Sequence, residues 1–200
     1  MNNPTSQSTN STVSFRPAVL ADARAIAGLY RIAADGVADY IWQQLAEPGD
    51  TLLDVGERRY SRTNTDYSYE NCDIAEIDGK TVGMLMAYRM AEPDPDEEPV
   101  SDPVLRPFAE LELPGSYYIS GVAVSDQYRS MGIGGGLIER ACARAQDGGM
   151  DQLSLICFEQ NVRAARLYDS LGFNVVDSRD VVPHELLRFT GEALLMAAPV

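Results

Sequence analysis

The segment from Val122 to Gly136 constrains the fold of this chain more than any other, with the sequence VAVSDQYRSMGIGGG. It has the pattern of a buried strand that runs through Arg129 into a glycine-rich turn, and the turn opens a helix. Glycine lacks a Cβ atom, so the backbone of such a turn can approach a ligand closely. The first amides of a helix have no intrahelical partner and favour an anion. The segment therefore predicts a phosphate-binding turn, or else a connection that uses glycine only for tightness.

Two common phosphate-binding loops do not fit this turn. A dinucleotide-binding fingerprint that starts at Gly132 needs a glycine at position 137, where the chain has Leu137. A P-loop needs a Gly-Lys-Ser or Gly-Lys-Thr triplet, which is absent from the turn. We therefore expect neither NAD nor a nucleoside triphosphate as the ligand, and Arg129 can add a permanent positive charge for another phosphate.

The charge of the chain limits its partners. It carries 30 Asp and Glu residues against 16 Lys and Arg residues, a formal net charge of -14. Nucleic acids and anionic membranes bind basic surfaces, so we expect neither as a main partner. The acidic excess suits a cationic substrate such as an amine, although a large net charge more often serves solubility.

Cysteine content and the chain start indicate the compartment. The three cysteines, Cys72, Cys142 and Cys157, are few and odd in number. They predict small core residues in a reducing compartment, and neither a disulfide framework nor a metal site. The first 12 residues are polar and lack the apolar centre of a signal peptide. We expect a disordered tail over residues 1–12, one domain over 13–200, and a cytoplasmic protein without membrane spans.

Hydrophobic periodicity and turn residues predict an α/β fold. The predicted strands are 13–16, 72–77, 80–89, 117–124, 152–158, 173–182 and 193–197. The predicted helices are 21–34, 37–46, 132–146 and 161–171, with a helical turn or two within 50–59. Between them, 91–115 begins as AEPDPDEEPVSDP, rich in proline and carboxylates. We expect a solvated loop there, or a lid that admits a cationic substrate.

Two motifs on these elements resemble the GNAT family of acyl-CoA-dependent N-acetyltransferases. The family pattern Gln/Arg-x-x-Gly-x-Gly/Ala is present as Arg129-Ser130-Met131-Gly132-Ile133-Gly134. The pattern Asn-x-x-Ala-x-x-x-Tyr-x-x-x-Gly-Phe is present as Asn161, Ala164, Tyr168, Gly172 and Phe173. The resemblance implies a GNAT acyltransferase fold, a mixed central sheet of six to seven strands flanked by helices. It also implies a splay between the strands that end near Val124 and Cys157.

The resemblance places acetyl-CoA, as acyl donor, in the gap between these strands. The glycine turn would wrap the pyrophosphate with Arg129, Ser130, Met131, Gly132, Ile133, Gly134 and Gly135. The pantetheine arm would be bound by the backbone of Val122, Ala123 and Val124. Asn161 would contact the same arm with its side-chain amide, although Asn at a helix start is also an ordinary N-cap.

Tyr168 is the residue that the resemblance implies for chemistry. When an amine attacks the thioester, the departing thiolate must be stabilised or protonated, and a phenol beside the sulfur can donate that proton. The alternative is that Tyr168 only packs, because Leu167 and Leu171 beside it have the pattern of core residues.

The sequence leaves the general base open. Many family members carry a glutamate on the strand before the glycine turn or on the strand before the Asn helix, and these positions fall here at Tyr118 and Ile156. Neither side chain is a carboxylate. The remaining candidates are Glu112, Glu159, His184 in the segment VVPHEL, and a water held by Tyr118 and a backbone carbonyl.

Two functions follow from the resemblance. The first is transfer of an acetyl group from acetyl-CoA to a primary amine, on a small molecule or a protein, by direct attack in a ternary complex. The second is a non-catalytic acyl-CoA-binding sensor or interaction module, suggested by the missing carboxylates. The final strands of such folds often pair between subunits, so the resemblance also allows a homodimer.

Overall fold

A computed structural model of the protein describes residues 12–92, 94–96 and 98–200. The predicted disordered tail lies outside the described residues except for Thr12. Seven strands form one sheet in the order β1-β2-β3-β4-β5-β7-β6. The strands are β1 Val13–Pro17, β2 Cys72–Ile77, β3 Lys80–Arg89, β4 Tyr117–Val124, β5 Gln152–Phe158, β6 Asn174–Asp180 and β7 Glu192–Pro199. The helices are α1 Ala23–Ala33, α2 Val37–Leu45, α3 Leu52–Tyr60, α4 Arg106–Ala109, α5 Ile133–Asp147 and α6 Val162–Ser170.

The sheet opens between β4 and β5, which form its parallel pair, whereas the neighbouring pairs run antiparallel. These two strands pair only from Tyr117 with Leu153 to Ile119 with Leu155. Beyond that point each strand continues without pairing to the other. The predicted mixed sheet with a splay is confirmed, and the gap begins at Ile119, well before the strand ends.

A β-bulge lies where the gap begins. On β3, Met86 pairs with Gly121 and the next residue, Ala87, pairs with Ile119. Ser120 is therefore an extra residue on β4 without a partner on β3. A bulge bends its strand and increases the local twist, so β4 changes direction where its pairing with β5 ends.

Alternation along the strands divides the core into two main layers. Met84 and Met86 face the side of the sheet covered by α1, α2 and α3, where Trp42 and Tyr60 are fully buried. Leu85 and Ala87 face the opposite side, which α5 covers. The stretch predicted to hold a helical turn or two is the complete helix α3, which starts with a Thr51–Asp54 capping box.

One glycine of the turn sequence serves packing. A Cβ atom on Gly136 would lie 2.6 Å from Cζ of Phe15 on β1. Its small size lets α5 lie close against β1. The glycine-rich sequence thus combines two tasks, and only its first part remains for a ligand.

The segment 91–115 differs from the predicted loop in its second half. It contains the short helix α4, and the side chains of Val104 and Leu111 are buried. They pack with Phe158 and Leu195 in a third apolar cluster. The acidic, proline-rich sequence ends before VLRPFAELEL, which supplies enough apolar surface to pack.

Candidate active site

A cavity of about 710 Å³ occupies the gap between β4 and β5. β4 lines it from Ser120 to Val124 except for Gly121, and β5 lines it from Ile156 to Phe158. The starts of α5 and α6, together with parts of α1, α2 and α3, complete the wall. Most of the predicted cofactor residues line this one cavity: Val122, Ala123, Val124, Arg129, Ser130, Gly132, Ile133, Gly134, Gly135, Asn161 and Tyr168.

The glycine turn presents backbone donors to the cavity. Gly132 is the N-cap of α5 with φ +78°, a conformation that favours glycine, and no side chain caps the helix. The amide of Gly136 donates to the carbonyl of Gly132 at 3.1 Å. The amides of Ile133, Gly134 and Gly135 precede that bond and have no acceptor within the helix. This geometry can bind an anion.

Arg129 and Met131 take different positions beside this turn. The guanidinium group of Arg129 donates to the carbonyl of Val124 at 3.2 Å and pairs with Asp126 at 2.6 Å, so it is fixed at the end of β4. Met131 is half exposed and lies at a separate surface pocket beside Lys80. Met131 does not line the cavity, and the cofactor contact predicted for it stays a prediction.

Asn161 is an N-cap, as one of the two interpretations predicts. Its Oδ1 accepts from the amide of Ala164 at 3.2 Å. Its Nδ2 donates to a carboxylate oxygen of Asp35 at 2.8 Å. A side-chain amide carries two hydrogens on nitrogen, so one donor remains for a ligand.

Asp35 is the acidic residue of the cavity that the sequence did not indicate. It lies in the turn between α1 and α2 and is only 7% exposed. Burial raises the pKa of its carboxyl group, while the hydrogen bond from Asn161 and the charges of Arg188 and Arg129 oppose that shift. Arg188 Nη1 is 3.8 Å from Asp35 Oδ1. An Asp-Gly pair between two helices has the pattern of an ordinary turn, so no local signal marked this residue.

Tyr168 is buried in the wall of the cavity, with its ring centroid 5.8 Å from that of Phe173. Burial raises the pKa of its hydroxyl well above the usual range, and Cys157 and Asp35 add to the shift. The phenol is therefore protonated at neutral pH and can donate a proton. Burial also raises the pKa of the Cys157 thiol to about 12, which keeps this neighbour uncharged.

The base candidates separate into two groups. Tyr118 and Glu112 line the cavity, whereas His184 and Glu159 do not. Burial raises the pKa of Tyr118, so it stays protonated and can position a water but cannot accept a proton as a phenolate. The roles predicted for His184 and Glu159 are therefore not supported by their positions.

His184 and Glu159, the two candidates outside the cavity, have other neighbours. The ring of His184 lies 4.7 Å from that of Tyr40, and its Nδ1 accepts from the amide of Leu186 at 3.2 Å. Glu159 is exposed and lies beside Gly191 at the end of β5. The positions of both side chains depend on tertiary structure, which a single sequence does not display.

A wall of tyrosines lines the part of the cavity under α1 and α3. Successive ring centroids lie 5.3 Å apart for Tyr30 and Tyr60, 6.2 Å for Tyr30 and Tyr67, 5.8 Å for Tyr67 and Tyr88, and 5.7 Å for Tyr88 and Tyr118. We call these five residues the tyrosine wall. The guanidinium carbon of Arg59 lies 4.3 Å above the ring of Tyr67. The members of the wall come from five separate segments, so no local sequence pattern marked it, and the ten tyrosines of the chain were the available signal.

Within the described ranges, no group of three or more His, Cys, Asp or Glu side chains is arranged to hold a metal ion. The helices in the same ranges are all too short or too polar to cross a membrane.

The mixed seven-stranded sheet flanked by helices has the fold of solved acetyltransferase structures. The chain matches the acetyltransferase (GNAT) family model over residues 38–173. It therefore belongs to the GNAT acetyltransferase family, as the two sequence motifs indicated.

Individual proteins show the same relationship. A thialysine N-epsilon-acetyltransferase of Bos taurus is 35% identical over 77 residues, which are 38% of this chain and 44% of that protein. The match thus spans less than half the length of this curated relative. A crystal structure of an acetyltransferase aligns with a TM-score of 0.64 at 22% identity, over 94% of this chain and 99% of that one. An N-acetyltransferase from Staphylococcus aureus Mu50 aligns with a TM-score of 0.63 at 18% identity, over 92% and 100%. At these identities, the structural likenesses show the fold.

Proposed function

We propose that the protein transfers an acetyl group from acetyl-CoA to a primary amine by direct attack in a ternary complex. One observation carries the proposal: a single cavity joins an uncapped helix start, a protonated tyrosine and a buried carboxylate. These are an anion site for the donor, a proton donor for the leaving thiolate and a proton acceptor for the amine. Membership of the GNAT family supports the same reaction class.

The donor end has the groups that coenzyme A requires. The amides of Ile133, Gly134 and Gly135 would bind the pyrophosphate, with Arg129 and Ser130 beside them. The edge of β4 that β5 leaves beyond Ile119 would bind the pantetheine arm through its backbone. The remaining hydrogen on Nδ2 of Asn161 would donate a hydrogen bond to the same pantetheine arm. These assignments need no metal ion.

We assign the proton transfers to Asp35 and Tyr168. Asp35 accepts a proton from the ammonium form of the substrate, and the free amine attacks the thioester carbonyl carbon. The new carbon–nitrogen bond forms as the carbon–sulfur bond breaks, and Tyr168 donates its proton to the departing sulfur. The nitrogen loses its second proton to solvent as the amide forms, Tyr168 regains a proton from solvent, and Asp35 releases its proton before the next cycle. Tyr118 and Glu112 stand near the path of the amine, where Tyr118 can hold a water.

Titration calorimetry with acetyl-CoA, followed by mass detection of acetylated products from a panel of amines, tests the proposal. The panel includes thialysine, because the curated relatives from Bos taurus and Sus scrofa are named for acetylating it. We expect acetyl-CoA to bind and at least one primary amine to be acetylated. No binding of any acyl-CoA at millimolar concentration would overturn the proposal.

The second candidate is the non-catalytic acyl-CoA sensor. The observation that favours it is the pair Tyr118 and Ile156, which puts no carboxylate at either position where many family members carry one. The buried carboxylate of Asp35 argues against it. Tight binding of acetyl-CoA without turnover of any amine would support the sensor.

The homodimer that the resemblance allows remains a prediction. β6 forms one edge of the sheet, and Val175 and Val176 on it are each more than half exposed. Sedimentation velocity over a range of protein concentrations would detect a dimer.

A further inference from the structure

Arg59 on α3 differs in its charge partners from two nearby arginines, Arg24 on α1 and Arg58 on α3. Arg24 pairs with Asp54 and Glu57, and Arg58 pairs with Asp50. Arg59 is half-buried, lines the cavity and stacks on Tyr67, yet it pairs with no carboxylate in the part of the chain that the structure describes. Stacking holds the plane of a guanidinium group and leaves its edge donors available. In a chain with 30 acidic residues, this arginine is available for an anion that enters the cavity.

The site for this anion is separate from the site proposed for the phosphates of the donor. A series of contacts connects Arg59 to β4: Arg59 stacks on Tyr67, Tyr67 contacts Tyr88, and Tyr88 contacts Tyr118. Tyr118 lies near the start of β4. The glycine turn follows the other end of the strand, about 20 Å away at a rise near 3.3 Å per residue. The tyrosine wall and Arg59 therefore lie at the end of the cavity opposite the pyrophosphate site.

Two buried hydroxyl groups point to a polar ligand at this end. The hydroxyls of Tyr60 and Ser120 are buried without a hydrogen-bond partner among the described residues, and both residues line the cavity. Tyr60 is fully buried. Buried polar groups normally have a partner, so an unmet pair beside a cavity suggests groups that a ligand satisfies. The aromatic faces between them suit an apolar spacer or a cation.

We infer that Arg59 and the tyrosine wall form an acceptor subsite for a primary amine that carries a carboxylate at its far end. The inference rests on the proposed function and adds the chemical class of the acceptor. The carboxylate binds the guanidinium edge of Arg59, the spacer lies along the tyrosine rings, and the amine reaches the thioester beside Tyr168. Such an acceptor is an ω-amino acid or a side-chain amine of a free amino acid.

Matched acceptors test the subsite. 6-Aminohexanoate and 6-aminohexanamide carry the same amine and spacer and differ in the terminal charge. For the parent protein we expect a KM for the acid about 10- to 100-fold below that for the amide, the range for a charge-assisted pair. Arg59→Gln should remove that preference and leave the KM for the amide and for acetyl-CoA within about twofold.

Arg58→Gln is the control, because Arg58 lies in the same last turn of α3, pairs with Asp50 and does not line the cavity. It should keep the preference for the acid, whereas a general effect of charge at the helix end would change it. Arg59→Lys keeps a charge without the planar stack and should restore part of the preference.

Binding separates this inference from the proposed function. Calorimetry on the complex with coenzyme A measures the affinity of both compounds without turnover, so the subsite can be supported even if no amine is acetylated. Equal affinity of the parent for acid and amide, or no binding of either, would overturn it. Acetylation of amines without any preference for the acid would leave the enzyme established and refute the subsite.

Discussion

The two ends of the cavity are built from different parts of the polypeptide. The proposed donor end offers backbone groups, namely the free amides at the start of α5 and the open edge of β4. The acceptor end uses side chains, namely the tyrosine wall, Arg59 and Asp35. Backbone donors depend little on residue identity, whereas side chains change with each substitution. We therefore expect the fold to determine the choice of donor, and a few side chains to be able to change the choice of acceptor.

Tyr168→Phe should give the largest effect, because it removes the proposed proton donor without changing the shape of the ring. We expect kcat to fall about 100- to 10,000-fold, the usual contribution of general acid catalysis. The affinity for acetyl-CoA, measured by calorimetry, should stay the same. Tyr40→Phe, which changes a tyrosine outside the cavity wall, is the control. A fall of only a few-fold would mean that Tyr168 mainly packs.

Asp35→Asn tests the proton acceptor with a nearly isosteric side chain that can still accept from Asn161. We expect kcat/KM to fall about 100-fold. In the parent protein, kcat/KM should fall as the pH drops through the pKa of Asp35, which burial raises. The variant should lose that acid limb in a pH–rate profile.

The same substitution distinguishes catalysis from a structural role. A carboxyl group whose folded pKa is raised favours folding in its protonated form, and this contribution is lost as the pH rises through the folded pKa. At neutral pH the ionised Asp35 therefore costs stability, and Asp35→Asn should unfold at the same or a higher urea concentration. A less active variant that is also much less stable would indicate a structural role instead.

Gly136→Ala separates packing from binding within the glycine sequence. The new methyl group would meet Phe15, so we expect the free energy of unfolding to fall by about 1–3 kcal/mol. Urea denaturation measures the change. The folded protein should bind acetyl-CoA with unchanged affinity, and a large loss of affinity would place Gly136 in the binding turn.

Arg129→Gln should give the smallest effect and tests the backbone character of the donor end. One side-chain charge beside several amides should contribute about 3- to 10-fold in affinity for acetyl-CoA. Arg163→Gln, at an exposed position of the same cavity, is the control. A loss above 100-fold in calorimetry would mean that side chains dominate the donor end too.

The features proposed for the donor end lie in short sequence segments, so a single sequence was enough to predict them. Gly132 and its neighbours form one such segment, and Asn161, the N-cap of α6, lies in another with Tyr168 on the same helix. The Asp78-Gly79 turn likewise fixed the β2–β3 hairpin, since two-residue turns of this type suit antiparallel strands. Local geometry decides these features, so local sequence was sufficient.

The proposed acceptor end was not predictable, because its residues are distant in the sequence and come together only in the folded protein. Asp35 and Asn161 are 126 residues apart and meet only through tertiary packing. His184 had suitable chemistry, but contact with Tyr40 holds it outside the cavity. The burial of Val104 and Leu111 likewise depends on partners on β5 and β7 rather than on the acidic sequence before them.

The extra residue at Ser120 has a consequence for changes in chain length. Before it, Tyr117 and Ile119 face the α5 side of the sheet, and after it Val122 and Val124 do. The alternation of faces therefore reverses at this residue. Loss or gain of one residue here would turn the side chains of one half of the strand to the opposite face of the sheet. Either Tyr118 or the residues from Val122 to Val124 would then face the wrong side. During evolution this strand should therefore accept almost no insertions or deletions.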